Sequence, residues 1–256
     1  MTKIVSFFNQ AGGVGKTTLT MNIGYHLAEQ GQKVLLVDID SQATLTIFMG
    51  LEPTELEETV YQGIMDYGDL PIHKDRHGMD LVPANSGLGK AEQELVTADM
   101  RDMRLKYALE PLLDSYDYVL IDCPPSPGIL SYISLVASSH ILIPIQTQYK
   151  ALKGSEALFE TIKRVRRRPN PKLKLGGAIP SMHDKRTSHA KEGLESIEEA
   201  FVQELKSFMY PPVPHSVIFQ DASREHLPVA LHRSSHKVVK VLQEIAKQIE
   251  KNLNVD

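Results

Sequence analysis

Short, nearly continuous apolar runs alternate along the chain with longer stretches in which apolar residues recur every three or four positions. The runs at 4–8, 34–37, 118–121, 141–145 and 175–179 are rich in β-branched and aliphatic residues, the pattern of parallel strands covered on both faces. Stretches 16–29, 101–113, 129–137, 157–167, 191–208 and 237–251 carry helical spacing. This alternation predicts an α/β fold: a doubly wound, mostly parallel sheet flanked by helices, in one domain over 1–256 with right-handed crossovers. Pro111 falls inside the second helical stretch, where a missing N–H predicts a start or a kink. Pro211-Pro212-Val213-Pro214 predicts a stiff turn and not a domain boundary.

Between the first run and the first helical stretch lies Gly12-Gly13-Val14-Gly15-Lys16-Thr17-Thr18. Glycines at this junction let successive backbone N–H groups turn inward, so that loop and helix start form a concave anion site for α- and β-phosphates. Lys16 then reaches the β- and γ-phosphates, and the Thr17 hydroxyl takes a place on Mg²⁺, giving a P-loop site for ATP. The bland alternative is a glycine-rich turn that merely starts a helix. A metal-bound nucleotide also needs acids at neighbouring strand ends. Val34-Leu35-Leu36-Val37 is followed by Asp38-Ile39-Asp40, and Tyr118-Val119-Leu120-Ile121 by Asp122. Asp38 and Asp122 read as metal-shell residues or as groups orienting Lys16 and Thr17, and Asp40 as the residue that positions or deprotonates an attacking water. Helix capping or a solvated turn is the competing reading for all three.

The composition narrows the class. Apolar residues make up 42% and charged residues 23%, ordinary values for a globular chain. A net charge of −4 restricts any nucleic-acid site to a local patch. One cysteine, Cys123, excludes an intramolecular disulfide and leaves an iron–sulfur carrier one ligand short of a pair per subunit. No apolar run approaches bilayer length, and the start of the chain is interrupted too early by Asn9 and Gln10 for a signal peptide, so a cytoplasmic protein is expected. Ten histidines show no pair at convincing metal spacing, with His183 and His189, or His232 and His236, as the nearest approach.

Three motifs in order carry a resemblance: Asn9-Gln10-Ala11-Gly12-Gly13-Val14-Gly15-Lys16-Thr17-Thr18, Val37-Asp38-Ile39-Asp40-Ser41-Gln42 and Ile121-Asp122-Cys123-Pro124-Pro125-Ser126. They resemble the ParA family of partition and cargo-positioning ATPases, whose members carry a deviant Walker A motif. The likeness continues through Pro144-Ile145-Gln146-Thr147-Gln148-Tyr149-Lys150-Ala151-Leu152-Lys153-Gly154 and weakens after about Ser181. The resemblance implies a homodimer with two ATP molecules sandwiched between subunits, non-specific DNA binding in the ATP state, nucleoid association, and a small adaptor that stimulates hydrolysis. It matches Asp40 to the family's hydrolysis-essential aspartate, Gly12 to Thr18 to its phosphate cradle, and Met182 and Pro214 to the lining of its adenine pocket.

One departure stands out. The family's signature lysine, which reaches the other subunit's phosphates, belongs where this chain has Ala11. Lys150, in the segment that faces the partner in this family, is the first candidate for a catalytic surrogate in trans, with Lys153 second; an ordinary solvated lysine is the alternative. The missing lysine also resembles the carboxysome-positioning branch, the maintenance of carboxysome distribution ATPases. Plasmid or chromosome partition stands as the alternative, with a membrane-cycling relative of the division-site type behind it. Residues 238–256 are lysine-rich and aromatic-poor for a membrane anchor, and no membrane partner is expected. Lys163-Arg164-Val165-Arg166-Arg167-Arg168, the trio Arg233, Lys237 and Lys240, and Lys185 with Arg186 supply basic clusters, each of which reads alone as a solvated face. Summed across a dimer, they predict salt-sensitive DNA binding.

Overall fold

The computed structural model describes residues 1–147 and 156–254. Its centre is a seven-stranded sheet: β1 (Lys3–Phe7), β2 (Val34–Asp38), β3 (His73–Arg76), β4 (Met79–Val82), β5 (Tyr118–Asp122), β6 (His140–Gln146) and β7 (Lys174–Ser181), in the order β3-β4-β2-β5-β1-β6-β7. Every pairing is parallel except the β3–β4 hairpin at one edge. The doubly wound, mostly parallel sheet expected from the apolar runs is therefore present, and all five expected strands lie in it within two residues of their expected ends.

Each strand divides its residues between two cores because successive side chains point to opposite faces. Ile4, Leu35, Val37, Val119, Ile121, Ile141 and Ile143 belong to one buried cluster, and Val5, Phe7, Val34, Leu36, Leu120 and Leu142 to the other. The first cluster is closed by α3 (Val60–Met65), α4 (Leu88–Glu94), α5 (Arg104–Leu109), α6 (Ile129–Ala137), α7 (Glu156–Arg167) and part of α8 (Ser188–Glu198). The second is closed by α1 (Lys16–Glu29), α2 (Thr44–Phe48), α9 (Ile218–Arg224), α10 (Val229–His232) and α11 (Lys237–Leu253). The apolar face of α11, including Val238, Leu242, Ile245, Ile249 and Leu253, is buried in that second core.

The structure corrects the expected helices in two places. Instead of one helix over 101–113 there is a short α5 between two 3-10 turns, the second of which, Glu110–Ser115, begins around Pro111. Proline has no N–H to donate to the α-helical ladder, so the chain tightens there. The expected helix over 191–208 starts at Ser188, where the Thr187 hydroxyl caps it by accepting from the Ala190 amide, and passes into a π-helical turn at Glu199–Glu204. The proline-rich turn runs beside the end of β7: the Val213 amide donates to the Pro180 carbonyl and the His183 amide to the Val213 carbonyl.

Candidate functional site

At the carboxyl ends of the central strands the chain order reverses. From β1 it crosses to β2 beyond β5, and from β5 it crosses to β6 on the other side of β1, which opens a crevice where open α/β sheets bind ligands. The glycine-rich loop fills the start of that crevice, between β1 and α1. Gly13 and Gly15 have φ of 70° and 91°, the left-handed region that glycine enters without a Cβ penalty. Among the described residues no side chain caps the N-terminus of α1, and its first turn holds no acid, so the amides that a helix start leaves outside its own ladder face the crevice. A helix start of this kind carries positive potential.

The loop's carbonyls are tied back from the opposite side. Gln146 Nε2, at the end of β6, donates to the Gly13 carbonyl at 3.0 Å, and Ser181 Oγ, at the end of β7, to the Val14 carbonyl at 2.8 Å. Because C=O and N–H oppose each other across a trans peptide, each tie aims the next amide inward. Asn9 completes the frame, donating to the Pro144 carbonyl at 2.7 Å and accepting from the Ala11 amide at 2.9 Å. Lys16 Nζ donates to the Ala11 carbonyl at 3.0 Å. Burial pushes the lysine below its ordinary value, offset in part by Asp122 and then by Cys123 and Asp40.

Three acids face this cradle. The parallel ladder sets Asp38 level with Asp122, and Asp122 level with Phe7, so both buried carboxylates sit in one row at the sheet's carboxyl edge. Asp38 is fully engaged: it accepts from the Thr46 hydroxyl at 2.7 Å, the Thr46 amide at 2.8 Å and the Asp40 amide at 3.1 Å. Burial nevertheless pushes its carboxyl up to about 6 against those bonds. Asp122 is different. Among the described residues neither of its oxygens has a partner in hydrogen-bond geometry, and burial, then the adjacent Asp38, raises its carboxyl well above the ordinary range. The Thr17 hydroxyl offsets part of that cost without completing a well-formed bond. Asp40 is half-buried and accepts from the Gln42 amide at 3.0 Å.

Two buried acids with Lys16 as their nearby cation leave a deficit of positive charge, and a carboxylate beside a threonine hydroxyl is an oxygen donor set suited to a hard divalent cation. The residues present therefore fit Mg²⁺, with Asp122 and Thr17 on its side and Asp38 held behind them by Thr46. A cavity of about 450 Å³ joins Gly13, Lys16, Thr17 and Asp40 to an apolar wall of Met182, Val213, Pro214 and Phe219. Met182 takes a left-handed backbone angle, φ 50°, and its sulfur accepts from Gln146 at 3.2 Å. Of the expected site residues, Gly13, Gly15, Lys16, Thr17, Thr18, Asp40, Met182 and Pro214 line this one cavity, whereas Gly12, Val14 and the buried Asp38 and Asp122 do not. Lys150 and Lys153 lie outside the described residues. Asn9, Thr46, Ser181 and Gln146 were not singled out from the sequence: Asn9 and Gln146 stand inside recognisable motifs, whereas nothing in the local pattern marks Thr46 or Ser181.

Elsewhere, His232 pairs with Glu225 at 2.8 Å, His183 contacts Thr147, and no group of three or more His, Cys, Asp or Glu side chains that could hold a metal ion occurs among the described residues. Arg164 lies over the Tyr132 ring at 5.0 Å and Arg186 is held by Asp184 at 2.8 Å, while Arg166, Arg167, Arg168, Arg233, Lys237 and Lys240 are exposed. Among the described residues no helix is long and apolar enough to cross a membrane.

Residues 2–175 match the protein family described as "AAA domain". The chain is 36% identical over 255 residues to the sporulation initiation inhibitor protein Soj of Bacillus subtilis, covering 98% of this chain and 100% of Soj. It is 36% identical over 235 residues to the chromosome partitioning protein ParA of Myxococcus xanthus, covering 90% and 81% of the two chains. Among solved structures, cobyrinic acid a,c-diamide synthase from Mycobacterium smegmatis with bound ATP analogue and magnesium superposes with a TM-score of 0.86 at 32% identity, covering 100% and 97%. An ATP complex of an McdA variant from Cyanothece superposes with a TM-score of 0.85 at 22% identity, covering 100% and 97%, a likeness of fold alone.

Proposed function

The chain belongs to the ParA/Soj family of P-loop ATPases, and on that premise we propose that it is an ATP-driven dimer that binds DNA without sequence preference and segregates a cargo along it. The observation that carries this reading is the cradle itself: an α1 start whose loop carbonyls are tied back by Gln146 and Ser181, and a buried carboxylate beside it, with neither a side-chain cap on the helix nor a hydrogen-bond partner for the carboxylate among the described residues. ATP places its phosphates on the amides of Gly12 to Thr18 and its base against Met182 and Pro214. Thr17 and Asp122 would hold Mg²⁺, which would supply charge neutralisation there, with Asp38 fixed beside Asp122 by its bonds from Thr46.

In hydrolysis to ADP and phosphate, Asp40 holds the attacking water by accepting its hydrogen bond, and Lys16 leaves the Ala11 carbonyl for the β- and γ-phosphates. With Ala11 in the signature position, the cation that reaches across the dimer comes from elsewhere, and Lys150 of the facing subunit is the proposed source. The exposed basic residues at the end of α7 and the start of α11 supply the DNA contacts, and a small adaptor protein accelerates hydrolysis and resets the cycle on the nucleoid. The ParA relative, 36% identical over 90% of this chain, is a chromosome partitioning protein, which supports plasmid or chromosome cargo as the first reading; carboxysome positioning is the second, favoured by Ala11 alone. A membrane-cycling role is disfavoured because the apolar face of α11 is spent in the core.

The test is a co-sedimentation comparison. ATP is expected to drive the protein onto DNA and not onto anionic vesicles, and affinity for DNA should fall steeply from about 50 to 200 mM salt as counterion release weakens. Binding to vesicles instead, or DNA binding indifferent to salt and nucleotide, would refute the reading.

A further inference from the structure

Glu92, on α4, has no role in the site as described so far. Its carboxylate rests against the backbone of Gly128: a methyl group added at Gly128 would lie 2.3 Å from Glu92 Oε1 and 3.4 Å from its Cδ. Gly128 has φ −71° and ψ −179°, extended backbone open to any residue. Contact with Glu92, and with Ser126 Oγ at 3.3 Å, is therefore what leaves no room for a side chain there.

Gly128 is also the residue just before α6, and among the described residues no side chain caps that start. A carboxylate lodged there is favoured by the helix dipole and disfavours departure of the helix end from α4. Among the described residues Glu92 has no hydrogen-bond or ion-pair partner, and burial, then the Asp40 carboxylate, holds its carboxyl above the ordinary range. This anion is held by a helix start and by packing, without a cation.

The segment that Glu92 presses on leads straight to the nucleotide. It begins at Asp122, which has no hydrogen-bond partner among the described residues, and Pro125 then comes within 3.9 Å of where a Cβ at Gly12 would stand, on the edge of the phosphate cavity. Ser131 Oγ, on α6, donates to the Ser126 carbonyl at 2.7 Å and to the Pro124 carbonyl at 3.3 Å, which ties the loop to the first turn of the helix. A continuous line of contacts thus joins α4 to the phosphate loop through Gly128 and Pro125.

We propose that Glu92 is a positioning residue for hydrolysis, its charge at the start of α6 holding the 123–128 loop against the phosphate loop and next to Asp40. The proposal rests on the nucleotide reading of the cradle. Glu92 is placed to act on the geometry around the attacking water and not on nucleotide binding, because it touches none of the phosphate-loop amides.

The experiment measures ATP hydrolysis and the affinity of a fluorescent ATP analogue for the full chain, with melting temperature as the check on folding. Glu92→Gln, Glu92→Ala and Gly128→Ala are each expected to lower kcat roughly tenfold while KM and analogue affinity stay within about twofold, the mark of an alignment defect. Gly128→Ala acts by pushing aside the end of a flexible side chain, so it should cost little stability. In a Glu92→Ala background it should have no further effect, because the group it displaces is already gone. Wild-type kcat in Glu92→Gln, or a full additional loss from Gly128→Ala on top of Glu92→Ala, overturns the inference. A wild-type chain that fails to bind the analogue overturns the cradle reading, and this inference with it.

Discussion

Asp122 is a carboxylate buried at the sheet's edge with no hydrogen-bond partner among the described residues and another buried acid level with it on the next strand. Without nucleotide and metal this is a standing cost, since a buried polar group left unmade costs about 1–3 kcal/mol. The sign of its pH dependence follows from proton binding. Both Asp122 and Asp38 have carboxyls raised by burial, Asp38 to about 6. An acid with its folded value above its unfolded value binds more protons when folded, so stability is lost as pH rises from near 4 through the raised value. The metal-free protein is therefore expected to melt at a higher temperature at pH 5 than this pair allows at pH 8. Asp122→Asn should flatten that dependence and stabilise the metal-free protein at pH 8 by on the order of 1–3 kcal/mol, while removing the extra stabilisation given by Mg²⁺ with ATP. Thermal unfolding in a chelator across that pH range checks it, and a variant less stable than wild type at pH 8 would show the carboxylate to be structural.

At the scale of elements, the phosphate loop owes its shape to strands on the far side of β1. The ends of β6 and β7 supply Gln146 and Ser181, which hold two loop carbonyls, one bond each. Gln146→Ala is expected to weaken ATP-analogue affinity by roughly five- to tenfold, the cost of one net hydrogen bond, with a melting temperature close to wild type because Gln146 is not in either core. Titration of the analogue checks this, and unchanged affinity would mean the loop holds itself. The same elements show what the sequence disclosed. Strands buried on both faces announced themselves as unbroken apolar runs, and the glycine loop gave away its place between strand and helix. The β3–β4 hairpin did not: His73-Lys74-Asp75-Arg76 is an all-polar edge strand with no face to bury, so periodicity has nothing to register. Helices α2, α3 and α4, of five to seven residues, are shorter than the two turns a helical pattern needs. Thr46, Ser181 and Glu92 act through contacts set by topology, 8, 167 and 36 positions away in sequence from Asp38, Val14 and Gly128, and a local pattern cannot carry that.

The whole molecule is completed by a second copy if the cradle works as proposed, because the charge that develops on the phosphates in transfer needs a cation that this chain lacks at Ala11. Ala11 is exposed, its amide is held by Asn9 and its carbonyl by Lys16, so the backbone that would present a lysine there is already in place. Only the side chain is missing. Lys150→Ala is accordingly expected to abolish ATP-dependent dimers in light scattering and to lower hydrolysis by a factor on the order of a thousand or more, the scale on which a trans-acting cation matters. Introducing the cation at the vacant position gives the decisive arm. Ala11→Lys in the Lys150→Ala background should restore dimers, because either lysine delivers one positive charge to the facing subunit's phosphates. Dimers that persist in Lys150→Ala, or that Ala11→Lys leaves unrestored, would mean that the neutralising charge enters from a third source, and the exposed cations of α7 and α11 would then have to be divided between DNA and the dimer interface.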